Sequence, residues 1–344
     1  MKKGLLSILV VLGVTLTGCI PVENNDPDPV GTAYTEEELI ELIEGLIPEA
    51  NVDTTYDLGS FQASLVAMVE VAREGVLYLE VETADGVGTG SGVIYKRVGN
   101  TYYLVTNEHV VENAISITIA FEKYGQLLLI PSEDITLVGT DPTTDLAVIT
   151  FEADVDFTVI PFADSYDIKI GEFVFAIGNP LGFEYYGTLT MGVVSGLTRY
   201  INEEPYGGTF NSTVFQHDAA ISPGNSGGAL LNINGELIGI NNMKIVQENV
   251  SNIGFAIPSN TVKRIVNDLE DDGIVVRPYL GISTNPYLND CGFTFGVCIT
   301  VQEGGAAAAA GLLDDDVIVG YKTENMDEFL DIYNFNDLKE AILN

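Results

Sequence analysis

The sequence predicts a mostly β protein, built as β-barrels or a sandwich, followed by a smaller α+β unit. Three observations carry that expectation. Between about residue 75 and Pro258, short segments rich in Val, Ile, Tyr and Phe alternate with Gly, Asn, Asp and Pro turns, without intervening helical patterns. A helical pattern closes this stretch at roughly Ser259 to Leu269, and the acidic "EDDGIVVRP" reads as a linker into the smaller unit. With 344 residues, 46% of them hydrophobic, the chain is long enough for two or three domains with a sizeable core.

The chain opens with "MKKGLLSILVVLGVTLTGC", in which two lysines precede an apolar run from Gly4 to Leu16 and small residues lead into Cys19. The run is too short to span a bilayer comfortably and has the shape of a secretory leader. "LTGC" resembles the lipobox of bacterial lipoproteins. Residues 1–18 are therefore expected to be a signal peptide, and Cys19 a lipidated residue holding an exported protein on the outer or periplasmic face of a cell-envelope membrane. Residues 19–58 begin as a tether rich in Pro, Asn and Asp, then give a short amphipathic helix at "TEEELIELIEGLI". A second helix, "FQASLVAMVEVARE", runs into the first strand, "GVLYLEVET". Further strands are expected at "GTGSGVIYK", "TYYLVTNEH", "AISITIAF", "DLAVITF", "EFVFAIGNP", "MGVVSGL", "ELIGINN" and "NIGFAIP". Residues 59–270 form the main domain and 275–344 the second.

Lys and Arg number 14 against 50 Asp and Glu, a formal charge of −36. Such a surface repels phosphate backbones and argues against nucleic-acid binding. It also suits a high-salt habitat, where screening tolerates the self-repulsion. Cys291 and Cys298 either pair across a small hairpin or remain buried thiols; no histidine lies nearby to make a zinc site.

The chemistry-bearing stretch is "QHDAAISPGNSGGALL", with Ser226 bracketed by Gly224, Gly227 and Gly228. A serine hydroxyl becomes a nucleophile only when a base takes its proton and a third group orients that base. The chain has two histidines, His109 and His217. His109 follows a β-rich segment, where reacting side chains are displayed, and imidazole exchanges protons near neutral pH. The orienting carboxylate is expected at Asp145, directly before an apolar strand, with Asp141 as the competitor. Backbone N–H groups around Gly224, Asn225 and Ser226 can hold a developing oxyanion, while Gly227 and Gly228 leave room for an attacked peptide.

"VTNEHVV", "DPTTDLAVI", "AIGNPLG", "GVVSGLTR", "QHDAAISPGNSGGALLNINGELIGIN" and "NIGFAIPSN" occur in the order found in the HtrA, or DegP-like, family of trypsin-like serine proteases, which residues 60 to 270 resemble. The resemblance implies a two-β-barrel, chymotrypsin-like domain. It also implies His109 as general base, Asp145 as its orienting carboxylate, Ser226 as nucleophile, and Gly224 and Ser226 as oxyanion donors. His217 stands where the family commonly carries Thr and is read as a structural or rim residue. Ala220 and Ile221, completed by the segment from Asn241, match the primary specificity pocket and imply cleavage after small or medium aliphatic residues, because a buried cation would be unpaired there. The C-terminal part resembles a PDZ domain, with Tyr279, Leu280, Gly281 and Ile282 as its peptide-carboxylate loop. Asp315 stands where glycine is common, and the domain is expected to be incomplete, since Asn344 ends the helix before a final strand. The family implies unfolded or misfolded polypeptides as substrates, a homotrimer, ATP independence, and no cofactor or metal. A binding protein on a protease scaffold and a narrow signalling protease are the other readings.

Overall fold

The computed structural model describes residues 58–203, 210–242, 253–277, 279–284, 295–323, 326 and 328–343. The expected leader, Cys19, the tether and its amphipathic helix, most of "NNMKIV" and Cys291 lie outside the described residues.

Helix α1 (Leu58–Arg73) leads through Gly75 into β1 (Val76–Thr83). Then come β2 (Gly86–Val98), β3 (Thr101–Thr106), the short α2 (Glu108–Val111), β4 (Ser116–Lys123), β5 (Gln126–Ile130), β6 (Ile135–Asp141) and β7 (Leu146–Glu152). These strands make a seven-stranded antiparallel sheet in the order β5-β4-β1-β2-β3-β7-β6. Its two ends are bridged by the turn Ser132–Asp134, where Ser132 Oγ accepts the Ile117 amide of β4 at 3.2 Å. A second group, β8 (Phe173–Gly178), β9 (Thr188–Glu203), β10 (Phe210–His217), β11 (Ala229–Leu231), β12 (Leu237–Asn242) and β13 (Gly254–Pro258), closes into a barrel.

Alternation along each strand divides the core into three. Leu77, Leu79, Ile94, Leu104, Ile149 and Phe151 fill the first barrel. Val174, Ala176, Val194, Leu230, Ile238 and Ala256 fill the second. Their strand neighbours Val76, Val93, Val105, Val148, Phe175 and Ile177 face the other way and form the seam between the barrels. Strands buried on both faces read as continuous apolar runs, which is why they are so visible in the sequence.

Helix α3 (Ser259–Asp272) lays Val262, Ile265, Val266 and Leu269 on that seam and stops at Gly273, whose left-handed backbone (φ 72°) returns its N–H to Leu269 O. Tyr95 and Lys96 of β2 both bond Glu270 and fasten the helix.

Beyond the linker come three two-stranded ladders: Ile282–Ser283 with Thr300–Val301, Val297–Cys298 with Val317–Ile318, and Gly320–Tyr321 with Leu330–Asp331. Two helices, α4 (Ala306–Ala309) and α5 (Phe335–Leu343), accompany a small core of Val297, Ile299, Ile332 and Leu338. Leu280 O and Gly281 O accept the Ala307 and Gln302 amides, both at 2.8 Å, so the loop expected to bind peptide termini sits against the start of α4. Cys298 is disulfide-bonded, its partner lying outside the described residues.

Candidate active site

His109 sits on the single turn α2 at the exit of β3, and Asp145 on the turn that joins β6 to β7. Asp145 is wholly buried and holds a left-handed backbone (φ 57°), a conformation that Asp tolerates better than most residues. Its carboxylate accepts the His109 backbone N–H at 2.8 Å through Oδ1 and faces His109 Nδ1 at 2.6 Å through Oδ2. A carboxylate can only accept, so Nδ1 carries the proton, and in the neutral ring Nε2 keeps its lone pair free. Two residues that sequence reasoning missed complete this arrangement. Asn242 Nδ2 donates to Asp145 Oδ2 at 2.8 Å, and Asn107 Nδ2 donates to the Asp145 carbonyl at 2.9 Å.

Asp141, the competing carboxylate, is nearly as buried, at 4% exposure against 0% for Asp145. Burial therefore does not separate the two; partners do. Asp141 accepts the Thr144 N–H and hydroxyl and forms a two-pronged ion pair with Arg277 of the linker. It caps the turn that carries Asp145 and has no bond to His109.

Ser226 belongs to the loop between β10 and β11. The Gly227 and Gly228 amides are held by Asn241 O at 3.0 Å and Asn225 O at 3.0 Å, and Ser226 O accepts the Ser91 N–H at 2.8 Å. The loop is brought against the first barrel so closely that a Cβ on Gly227 would lie 3.1 Å from Asn107 N, two residues before His109. Ser226 and His109 thus come from opposite barrels to one place. Among the described residues the Ser226 hydroxyl makes no hydrogen bond to the imidazole, the loose geometry common to sites without substrate.

Of the three residues expected at the oxyanion hole, Asn225 is corrected: its N–H is committed to Ser222 O at 2.9 Å. The Gly224 and Ser226 N–H groups donate to nothing among the described residues. Gly224 has φ 99°, and a side chain there would strike Asn179 O, so only glycine fits.

Ala220 is exposed, its carbonyl accepting the Thr190 hydroxyl at 2.9 Å, while Ile221 packs partly into the second barrel's core. Asn241, expected in the pocket wall, is wholly buried and gives its amide to Ala229 O at 2.9 Å. His217 is fully buried too, so it is no rim residue. Neither ring nitrogen has a hydrogen bond of normal geometry. Burial pushes its pKa down to about 4, with neighbouring Asp218, the Phe255 and Ala219 backbone and Asn241 offsetting only part of that cost.

Residues 90–240 match the family model for a trypsin-like peptidase domain. The chain is 40% identical over 263 residues to the serine protease Do-like HtrA of Bacillus subtilis (strain 168), covering 72% of this chain and 57% of that protein. Against HtrB of the same organism it is 40% identical over 305 residues, covering 80% and 65%. It thus spans about three-fifths of the length of these curated relatives. Among solved structures, the HtrA-type protease AlgW with tripeptide superposes with a TM-score of 0.62 at 32% identity, over 81% of this chain and 88% of that one. The serine endoprotease from Yersinia pestis does so with 0.57 at 30%, over 81% and 88%. With two barrels, a histidine paired to a buried aspartate and a glycine-framed serine between them, and with 40% identity to these relatives over more than two thirds of its length, the chain belongs to the HtrA family of trypsin-like serine proteases.

Proposed function

We propose that this chain is a membrane-anchored, ATP-independent serine endopeptidase that degrades unfolded or damaged exported proteins through an acyl-enzyme. The observation that carries the reading is the His109–Asp145 pair with its Nδ1 proton engaged, facing a loop whose Gly224 and Ser226 N–H groups are free among the described residues. Ser226 Oγ attacks the scissile carbonyl carbon as its proton passes to His109 Nε2. The carbonyl oxygen, now an anion, takes the Gly224 and Ser226 N–H groups. His109 returns the proton to the leaving amine, then removes one from the water that releases the acyl group. Asp145 stays ionised throughout and holds the imidazolium, while Asn242 keeps the carboxylate turned toward it.

Ala220 and Ile221, with Asn241 wholly buried and bonded to Ala229 O, favour small or medium aliphatic residues before the cut, since they give a cation no buried partner. The C-terminal part acts as a PDZ-like module. Tyr279 to Ile282 receive a peptide carboxylate there, with strand addition beside Ile282–Ser283. Lipidated Cys19 anchors the chain outside the cell membrane, and the working form is a homotrimer.

Incubation of residues 34–344 with unfolded casein, beside Ser226→Ala, tests the activity. Cleavage by the wild type alone is expected. No wild-type cleavage at any salt concentration sinks the protease reading, and cleavage that survives in the variant removes Ser226 as nucleophile.

A further inference from the structure

Gly224 is flanked by two peptide groups, and both are pinned from outside the loop. The Pro223 carbonyl accepts the Leu181 N–H at 2.7 Å, and the Gly224 carbonyl accepts the Ser91 hydroxyl at 2.7 Å. Ser91 belongs to β2 of the first barrel, 133 residues from Gly224 along the chain, and is fully buried. Its hydroxyl also accepts two hydrogen bonds from Asn179, 2.9 Å from the backbone N–H and 3.0 Å from Nδ2. A hydroxyl has one proton and two acceptor sites. With both acceptor sites taken by Asn179, the proton has one place to go, the Gly224 carbonyl.

Ser91 also engages the loop through its backbone, its N–H reaching Ser226 O, while its own carbonyl takes the Thr106 hydroxyl at 2.7 Å. Asn179 is fixed in turn by its bonds to Leu77 O and the Gly187 N–H. The hydroxyl is therefore part of a rigid strut from one barrel to the other. It ends on one of the loop's three glycines, the one whose N–H must point at the oxyanion.

We propose that Ser91 is a positioning residue for catalysis: its hydroxyl, aimed by Asn179, clamps the Gly224–Asn225 peptide on one side of Gly224 while Leu181 holds the Pro223–Gly224 peptide on the other, so that Gly224 stays where its N–H meets the oxyanion. This role rests on the assignment of Ser226, His109 and Asp145 as the active site. Loss of the clamp leaves the peptide after Gly224 with only its Asn225 N–H bond to Ser222 O, so that Gly224 shifts and carries its own N–H with it, which weakens stabilisation of the tetrahedral intermediate more than binding of the ground-state peptide.

The test compares Ser91→Thr with Ser91→Val, which share one shape and differ in the hydroxyl, beside Ser91→Ala, Ser226→Ala and wild type. With a fluorogenic peptide, Ala and Val are expected to lower kcat roughly 10- to 100-fold, less than the ~10²–10³-fold for deleting an oxyanion donor outright, with KM within about twofold. Thr should recover most of kcat. A peptide aldehyde, which forms an oxyanion on the serine, should lose affinity in Ala and Val by the same factor, while the matching peptide alcohol binds unchanged. Equal kcat in Thr and Val, or a loss confined to KM, overturns the proposal. If the position 91 variants do not fold, as judged by thermal melts, Asn179→Leu replaces them; it should lower kcat at constant KM, and unchanged kcat overturns the proposal. Failure of the wild type to cleave would instead strike the active-site assignment, so the two failures are distinguishable.

Discussion

In the first barrel the proposed acid–base pair is held by side chains: Asp145 bonds the His109 ring and backbone, and Asn242 and Asn107 bond Asp145. In the second barrel the loop of the proposed nucleophile, Ser226, is held largely through its backbone, by Asn241 on Gly227 and Gly228, Leu181 on Pro223, and Ser91 on Gly224 and Ser226. A charge-assisted side-chain pair on a buried carboxylate is strong and tolerates little change of chemistry. A loop held by single neutral bonds at glycines is weaker at each point and depends on what packs beneath it.

The sharpest way to break the first half of this comparison is Asp145→Asn. The amide would donate where the carboxylate accepted, forcing the wrong imidazole tautomer, and kcat should fall about 10⁴-fold while the fold persists. Steady-state kinetics beside a melt would check it, and a loss under tenfold would mean that the carboxylate does not orient His109.

The second half is tested through His217, buried under the loop's support, beside Asn241. Its folded pKa of about 4 lies below the ordinary 6.5, so between those values the unfolded chain binds the proton that the folded one refuses. Stability should therefore be full above about pH 6.5 and fall as pH drops toward 4, by about 3 kcal/mol. Urea titrations across that range should show the loss in the wild type and a flatter profile in His217→Thr. The same slope in both would put the acid sensitivity elsewhere.

A smaller effect is expected at Arg277→Gln, which strips Asp141 of its ion pair and loosens the turn ending in Asp145. Because the guanidinium is partly exposed, the cost should be about 2 kcal/mol, with a several-fold loss in kcat. Unchanged kcat in a destabilised variant would limit the pair to a structural role.

The two halves also differ in how legible they are. His109, Asp145 and Ser226 stand out because their segments occur in a fixed order and each residue type has few uses there. The preference for Asp145 over Asp141 rests on burial, yet both are buried; a linker arginine 136 residues from Asp141 makes the difference, and no local pattern announces it. Strands β5 and β6 do not show in the pattern because they carry exposed apolar residues at the sheet ends, Leu127, Leu129 and Leu137, which blur the alternation. β10 is masked by its polar start and by register shifts at Gln216, which also hide the burial of His217. Ser91 looks like one more small residue in "GTGSGV", since its partners lie 88 and 133 residues away.

The most direct test of the site is covalent labelling with a fluorophosphonate and peptide mass spectrometry of the product. A single adduct on Ser226, formed at least about 10³-fold more slowly in His109→Ala, is the expected result. An adduct on another serine, or an unchanged rate without His109, would contradict the account.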